Sequence, residues 1–249
     1  MHFHLPKPMH GWREFVGEVG IIVVGVLIAL GAEQVVEEIH DRRVADETRQ
    51  AIREEFNDDL SAISLRGEAE PCIQRRLGEV RQILLGWQKD GRFVTPKWVA
   101  QTPQIDVALT RYEAAVSAGR LSLLPSSEQY QIGSIASGIR RFDEIQQAER
   151  PVWGRLRALQ AGGEALSATD RTMMLEALQD AAMFDYQARI AVRQLLPFAK
   201  DAGFEPDFAQ FKQIVGRVWA GGRFTPSICT PIDTPVDEAN RTQVTPLPL

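Results

Sequence analysis

The chain has 249 residues, a formal net charge of −5, 44% hydrophobic residues and two cysteines. Its charges are spread without long runs, which argues against nucleic acid as a partner. Its length is enough to bury a sizeable core in one domain, and Val and Ile do not alternate with polar residues, so the dominant period is helical.

The first element is apolar. Val19 to Ala32 reads VGIIVVGVLIALGA without a charge, and extension to Phe15 and Val36 gives a segment interrupted only by Glu18, Glu33 and Gln34. About 20 mainly apolar residues span a bilayer, and such a segment must be helical to pair its own backbone groups. The pattern predicts a transmembrane helix over 15–36, with both glutamates near the interfaces and Trp12 and Phe15 at one of them. A cleaved signal peptide competes, with Lys7 and Arg13 as its basic region and small residues at Ala29-Leu30-Gly31. Against it stand the carboxylate inside the apolar stretch and the helical pattern continuing through Glu33, Val36 and Ile39. A pilin-type helix also begins with a glutamate, but the Gly-Phe processing signature and strand patterning are missing. Basic residues on the two sides do not set the orientation. The simpler arrangement keeps a short tail, 1–14, in the cytoplasm and exports the bulk of the chain.

One face of this helix suggests association. Glu18, Gly25 and Ala32 are spaced by sevens, and Ala29 follows Gly25 by four. Small residues let membrane helices approach closely, and a carboxylate in a membrane usually faces a partner or water.

After the anchor, Val36, Ile39, Val44, Ile52, Phe56, Leu60 and Ile63 continue a helical stripe, read as a stalk over 37–66. Gly67 and Pro71 are expected to break or kink it. A second helix is expected from Pro71 to Gly86, then a loop from Gln88 to Pro103, and a third helix over 104–117. Ser126 and Gln129 resemble a capping box opening a long helix that Pro151 kinks or restarts and Gly162-Gly163 ends. Ser167 and Asp170 cap a further helix expected to stop at Pro197. Asp185 falls on its apolar stripe and reads as a paired structural carboxylate or a boundary residue, ahead of a functional site. A last helix is expected over 207–220, then a flexible Pro-rich tail over 230–249. The helix exits near Trp87-Gly91-Pro96 and Trp219-Gly222-Pro226 echo each other in sequence.

Catalytic and metal-binding signatures are missing: no HExxH, GxSxG, Walker loop or CxxC is present. All four histidines, His2, His4, His10 and His40, lie at or before the stalk, away from either cysteine, which removes a Cys-His nucleophile. Acid pairs such as Glu54-Glu55 and Asp58-Asp59 lack the ExxH partners of di-iron bundles. No cofactor, no metal site and no enzymatic activity are expected. Cys72 and Cys229 are candidates for a disulfide in an oxidising compartment, and for two free thiols otherwise.

The stretch His10-Gly11-Trp12-Arg13-Glu14-Phe15, followed by Gly17-Glu18-Val19-Gly20 and the apolar run to Leu30, resembles the start of a group of uncharacterised bacterial membrane proteins. They carry a Gly-Glu-apolar-Gly-x-Leu-Ile-Ala-Leu anchor and a helical domain of unknown function. The resemblance implies a single-pass bacterial membrane protein and no activity.

The expectation is an all-α protein: a transmembrane helix continuing into a stalk, then an exported helical-bundle domain over 67–229. The expected partners are the lipid bilayer and a protein, or a second copy, bound through the transmembrane and stalk helices. The expected role is an accessory or scaffolding subunit of an inner-membrane complex, or a homo-oligomer. The cytoplasmic part is too short for a signalling or catalytic domain. The alternative is a periplasmic ligand-binding bundle, with a pocket between helices.

Overall fold

A computed structural model describes residues 11–209 and 227–241, and among them every regular element is helical. Helix α1 runs from Trp12 to Asp90 as one piece of 79 residues, about 118 Å at 1.5 Å per residue. The remaining α-helices are α2 (Thr110–Ser117), α3 (Ser126–Leu156), α4 (Ala168–Asp201) and α5 (Val236–Arg241). α1 leads away from the anchor, and α3 runs alongside it in the same direction. α4 returns toward the anchor, and an extended segment, 91–109, descends between α1 and α3.

The expected break at Gly67 and Pro71 is absent, and the two expected helices are one. Pro71 is exposed, so its ring sits in solvent rather than in the core. It removes one backbone hydrogen bond, to the Gly67 carbonyl. Ala69 and Ile73 on either side are fully buried, and their packing holds the helix through the gap. Pro197 behaves likewise: it is exposed between buried Leu195 and Ala199, and α4 continues to Asp201. Helix ends fall instead at glycines with left-handed backbone, Gly91 (φ 67°) and Gly203 (φ 80°), a conformation glycine adopts without steric cost.

The core begins sooner than expected. Ala45, Thr48, Ile52, Phe56, Leu60 and Ile63 are buried, so most of the segment read as a stalk is a core helix of the domain. Only about eight residues separate the anchor from the first buried side chain. Val36 and Ile39 do not share that face: they are 67% and 63% exposed. The third helix is also shorter than expected and starts at Thr110. Ile105 is held instead as extended chain, its N–H donating to Gln146 Oε1 (2.9 Å) and its carbonyl accepting from Gln146 Nε2 (2.6 Å).

Capping divides the same way. Ser167 and Asp170 form a reciprocal capping box on α4. Ser126 does not cap α3. Pro125 takes the N-cap position, and Gln129 Nε2 donates back to the Leu124 carbonyl (2.8 Å). The second and third donors of α2 find a cap far away in sequence: Glu55 on α1 accepts the N–H groups of Arg111 (2.8 Å) and Tyr112 (3.0 Å), which otherwise have no intrahelical acceptor.

The expected flexible tail is docked at its start. Lys97 and Trp98 both donate to the Ile232 carbonyl (2.9 Å each), and Ile228 and Ala239 are fully buried. Cys72 and Cys229 are disulfide-bonded across 157 residues of sequence. Most of the expected helix over 207–220, the second of the two echoing exits, and 242–249 lie outside the described residues. The first exit ends α1 as expected, with Trp87 packed edge-on to Phe93 (5.0 Å) and Gly91 as the cap.

Candidate functional site

Two features of α1 bear on function: an unpartnered first third and a charged layer within the packed remainder. From Trp12 to Glu38 no described side chain of α1 is buried against the domain. This is the one helix, among the described residues, long and apolar enough to cross a membrane; its most apolar 18-residue window has a mean hydropathy of 2.4 and is 0% buried. Glu18, Gly25, Ala29 and Ala32 are all exposed on it, and a Cβ added at Gly25 would meet nothing within 4 Å. At about 100° per residue these four lie close to one line along the helix. They form one continuous, unoccupied face.

The packed part of the molecule holds two apolar clusters. The one nearer the anchor contains Ile52, Phe56, Leu60, Ile139, Phe142 and Leu195. The far one contains Ile73, Leu84, Trp98, Trp153, Leu178 and Ile228. Between them lies a layer of charge. Arg66 of α1 donates through Nη1 and Nη2 to both oxygens of Glu149 on α3 (2.9 and 3.0 Å). Its Nη2 also reaches Asp185 Oδ1 on α4 (3.1 Å). Thr102 Oγ1 and Trp153 Nε1 complete Glu149 (3.0 and 3.1 Å), and Gln74 Nε2 completes Asp185 (2.5 Å). Arg189 Nε lies 3.1 Å from Asp185 Oδ2. Burial raises the Asp185 pKa, against the pull of Arg66 and Arg189.

Every carboxylate oxygen in this layer has a partner, and three helices and the descending segment meet in it. Such an arrangement fixes relative helix height. It leaves no vacant coordination site, and among the described residues no group of three metal-ligating side chains forms. Of the readings open for Asp185 in sequence, paired carboxylate or boundary residue, the structure shows the pair. Arg66 and Glu149 were missed. The available signal was a charge in phase with an apolar stripe: Arg66 follows Ile63 by three, and Glu149 follows Ile145 by four.

A second arginine works at the far end. Arg76 is fully buried. Its Nη1 donates to the carbonyls of Trp98 and Val99 (2.6 Å each), its Nη2 to the Thr230 carbonyl, and its Nε to Glu79 (2.8 Å). It gathers three backbone acceptors beside the Cys72–Cys229 bridge and fastens the chain after Ser227 to α1. Toward the anchor, Asp59 accepts the Ala108 N–H through Oδ1 (3.1 Å), while its Oδ2 is buried without a hydrogen-bond partner. Burial pushes the Asp59 pKa up to about 7; the Ala108 N–H opposes this, and the Glu55 and Asp58 charges add to it.

A shallow groove of about 390 Å³ lies between α3 and α4, with Gly138, Ile190, Leu195 and Phe198 along it and Arg141 at its edge. No family model matches the chain, and neither the curated proteins nor the solved structures contain a match to it.

Proposed function

We propose that this is a single-pass inner-membrane protein whose exported helical domain is an accessory or scaffolding subunit of a membrane assembly, with a short N-terminal segment on the cytoplasmic side. The resemblance of residues 10–30 to the anchors of uncharacterised bacterial membrane proteins supports that setting. So does the disulfide, since such bonds persist in oxidising compartments. The observation carrying the functional reading is the continuity of α1. The same helix that presents a bare apolar N-terminal stretch also supplies the central wall of the domain core. A helix built this way holds the domain rigidly over its membrane segment. Docking along the anchor therefore sets the position of the whole domain.

The test is native purification of the tagged full-length chain from membranes in mild detergent, with intact-mass analysis. The reading expects the uncleaved chain together with a stoichiometric protein partner or further copies of itself. A chain lacking about its first 31 residues would replace the anchor with a signal peptide and remove the reading.

A periplasmic ligand-binding bundle is the second reading. The α3–α4 groove favours it, because its volume falls within the range of small-molecule sites. Saturable binding of a small molecule by a lone monomer, lost on Arg141→Ala, is what it predicts.

A further inference from the structure

The association face of the anchor does not stop at the membrane. Counting on by heptads from Glu18, Gly25 and Ala32 reaches Ile39, and counting from Ala29 reaches Val36. Val36 closes the expected span and Ile39 lies three residues beyond it, on an unbroken helix, and both are more than 60% exposed. Exposed apolar residues at and just past the end of the span, in line with a small-residue stripe in lipid, fit a partner that follows the helix out of the membrane. A seven-residue repeat on a 3.6-residue helix drifts by about 20° per heptad, which is the pattern of a left-handed helix pair.

The domain leaves this line free. At about 100° per residue, Val36 and Gly25 point nearly opposite to Ile52, Phe56 and Ile63, which face the core. Farther along the back of α1 come Arg43, Gln50 and Glu54, all exposed and polar. The apolar line therefore ends at Ile39, before it would force two domains together.

The charges beside the line name the occupant. Arg42 and Glu47 flank it on opposite sides, five residues apart. In a parallel two-stranded pair that spacing sets Arg42 of one helix against Glu47 of the other, twice by symmetry. Within one chain Arg42 meets Glu38, and Arg43 meets Glu47 (3.2 Å); all four are exposed and can be shared across the pair. A second copy in parallel register satisfies both the apolar line and these charges.

We infer that the protein forms a parallel, two-fold symmetric dimer along a seam through Glu18, Gly25, Ala29, Ala32, Val36 and Ile39, with its domains facing outward. This rests on the interaction reading above and makes a second copy the partner at the anchor.

Cysteine cross-linking in native membranes tests it. Both natural cysteines are bonded to each other, so an introduced thiol is the only free one. Val36→Cys and Ile39→Cys should each give an adduct of twice the chain mass on mild oxidation. Gln34→Cys, on the opposite side of the same turn, should give severalfold less. Arg42→Glu should lower the Ile39→Cys adduct severalfold, and Arg42→Glu with Glu47→Arg should restore it. Equal cross-linking at Gln34, Val36 and Ile39, or none at any of them, overturns the dimer. If none forms while a different protein co-purifies in fixed ratio, the dimer fails and the accessory-subunit reading stands. A lone monomer in both experiments ends both.

Discussion

Arg66 and Glu149 lie 83 residues apart in sequence and meet through two parallel hydrogen bonds, 2.9 and 3.0 Å, with 2% and 0% of their side chains exposed. Their pair, extended to Asp185, separates the two apolar clusters of the core. Removing one member of a buried ion pair leaves an uncompensated charge, at about 3–5 kcal/mol. Arg66→Met should therefore destabilise the detergent-solubilised chain by that amount in urea unfolding, followed by tryptophan fluorescence. Replacing all three, Arg66→Met, Glu149→Met and Asp185→Leu, should recover part of the loss, because the buried charges leave together while Thr102, Trp153 and Gln74 lose their acceptors. A triple variant no better than the single would show that the layer contributes net stability.

Asp59 gives a pH dependence. Its folded pKa, about 7, is raised above the ordinary carboxylate range. Between about pH 4 and pH 7 the folded chain retains a proton that the unfolded chain has released, so stability falls as pH rises through that window. Asp59→Asn keeps an acceptor for the Ala108 N–H and does not titrate. From pH 4 to pH 8 the stability difference between the two should move by about 2–4 kcal/mol in favour of the variant. Parallel pH profiles would contradict the assignment.

The Cys72–Cys229 bridge closes a loop of 157 residues. Cross-links over loops of that size contribute about 2–5 kcal/mol, chiefly by restricting the unfolded chain. Cys72→Ser should lower the thermal midpoint and give no further change on adding reductant, whereas the parent should fall to the same level when reduced. Arg76 still holds the Thr230 carbonyl, so the segment after Ser227 should become more open to protease without detaching wholly.

Gly138 of α3 packs directly against Leu195 of α4. A Cβ there would lie 2.7 Å from Leu195 Cδ1, and Leu195 is buried. Gly138→Val should cost about 1–3 kcal/mol by overpacking, and Leu195→Ala in the same chain should offset part of it. A double-mutant cycle with no coupling would show that the contact is looser than described.

Much of the architecture was legible because long helices leave a strong period in sequence. The long apolar N-terminal helix, the all-helical class and the Ser167–Asp170 cap follow from local chemistry. The misreadings share a cause. Pro71 and Pro197 look like helix ends when only their own backbone is considered, but each is flanked by buried residues whose packing outweighs one lost hydrogen bond. Val36 and Ile39 look like the start of the core stripe, yet the phase slips near Val44, and the residues before it face the other way. Arg66 and Glu149 are charged residues on apolar stripes, and sequence gives no distance between α1 and α3. Glu55 capping α2 is a tertiary contact with no local signature.

The central claim is that the anchor is an interaction surface rather than a tether. Replacing residues 15–36 with a plain leucine helix of the same length keeps a membrane span and the unbroken α1 while erasing the Glu18, Gly25, Ala29 and Ala32 face. Native mass spectrometry of this variant from mild detergent should show the full-length chain, still membrane-extracted, with its assembly reduced to monomer. An assembly unchanged in mass and stoichiometry would contradict the account and place the interaction elsewhere on the domain.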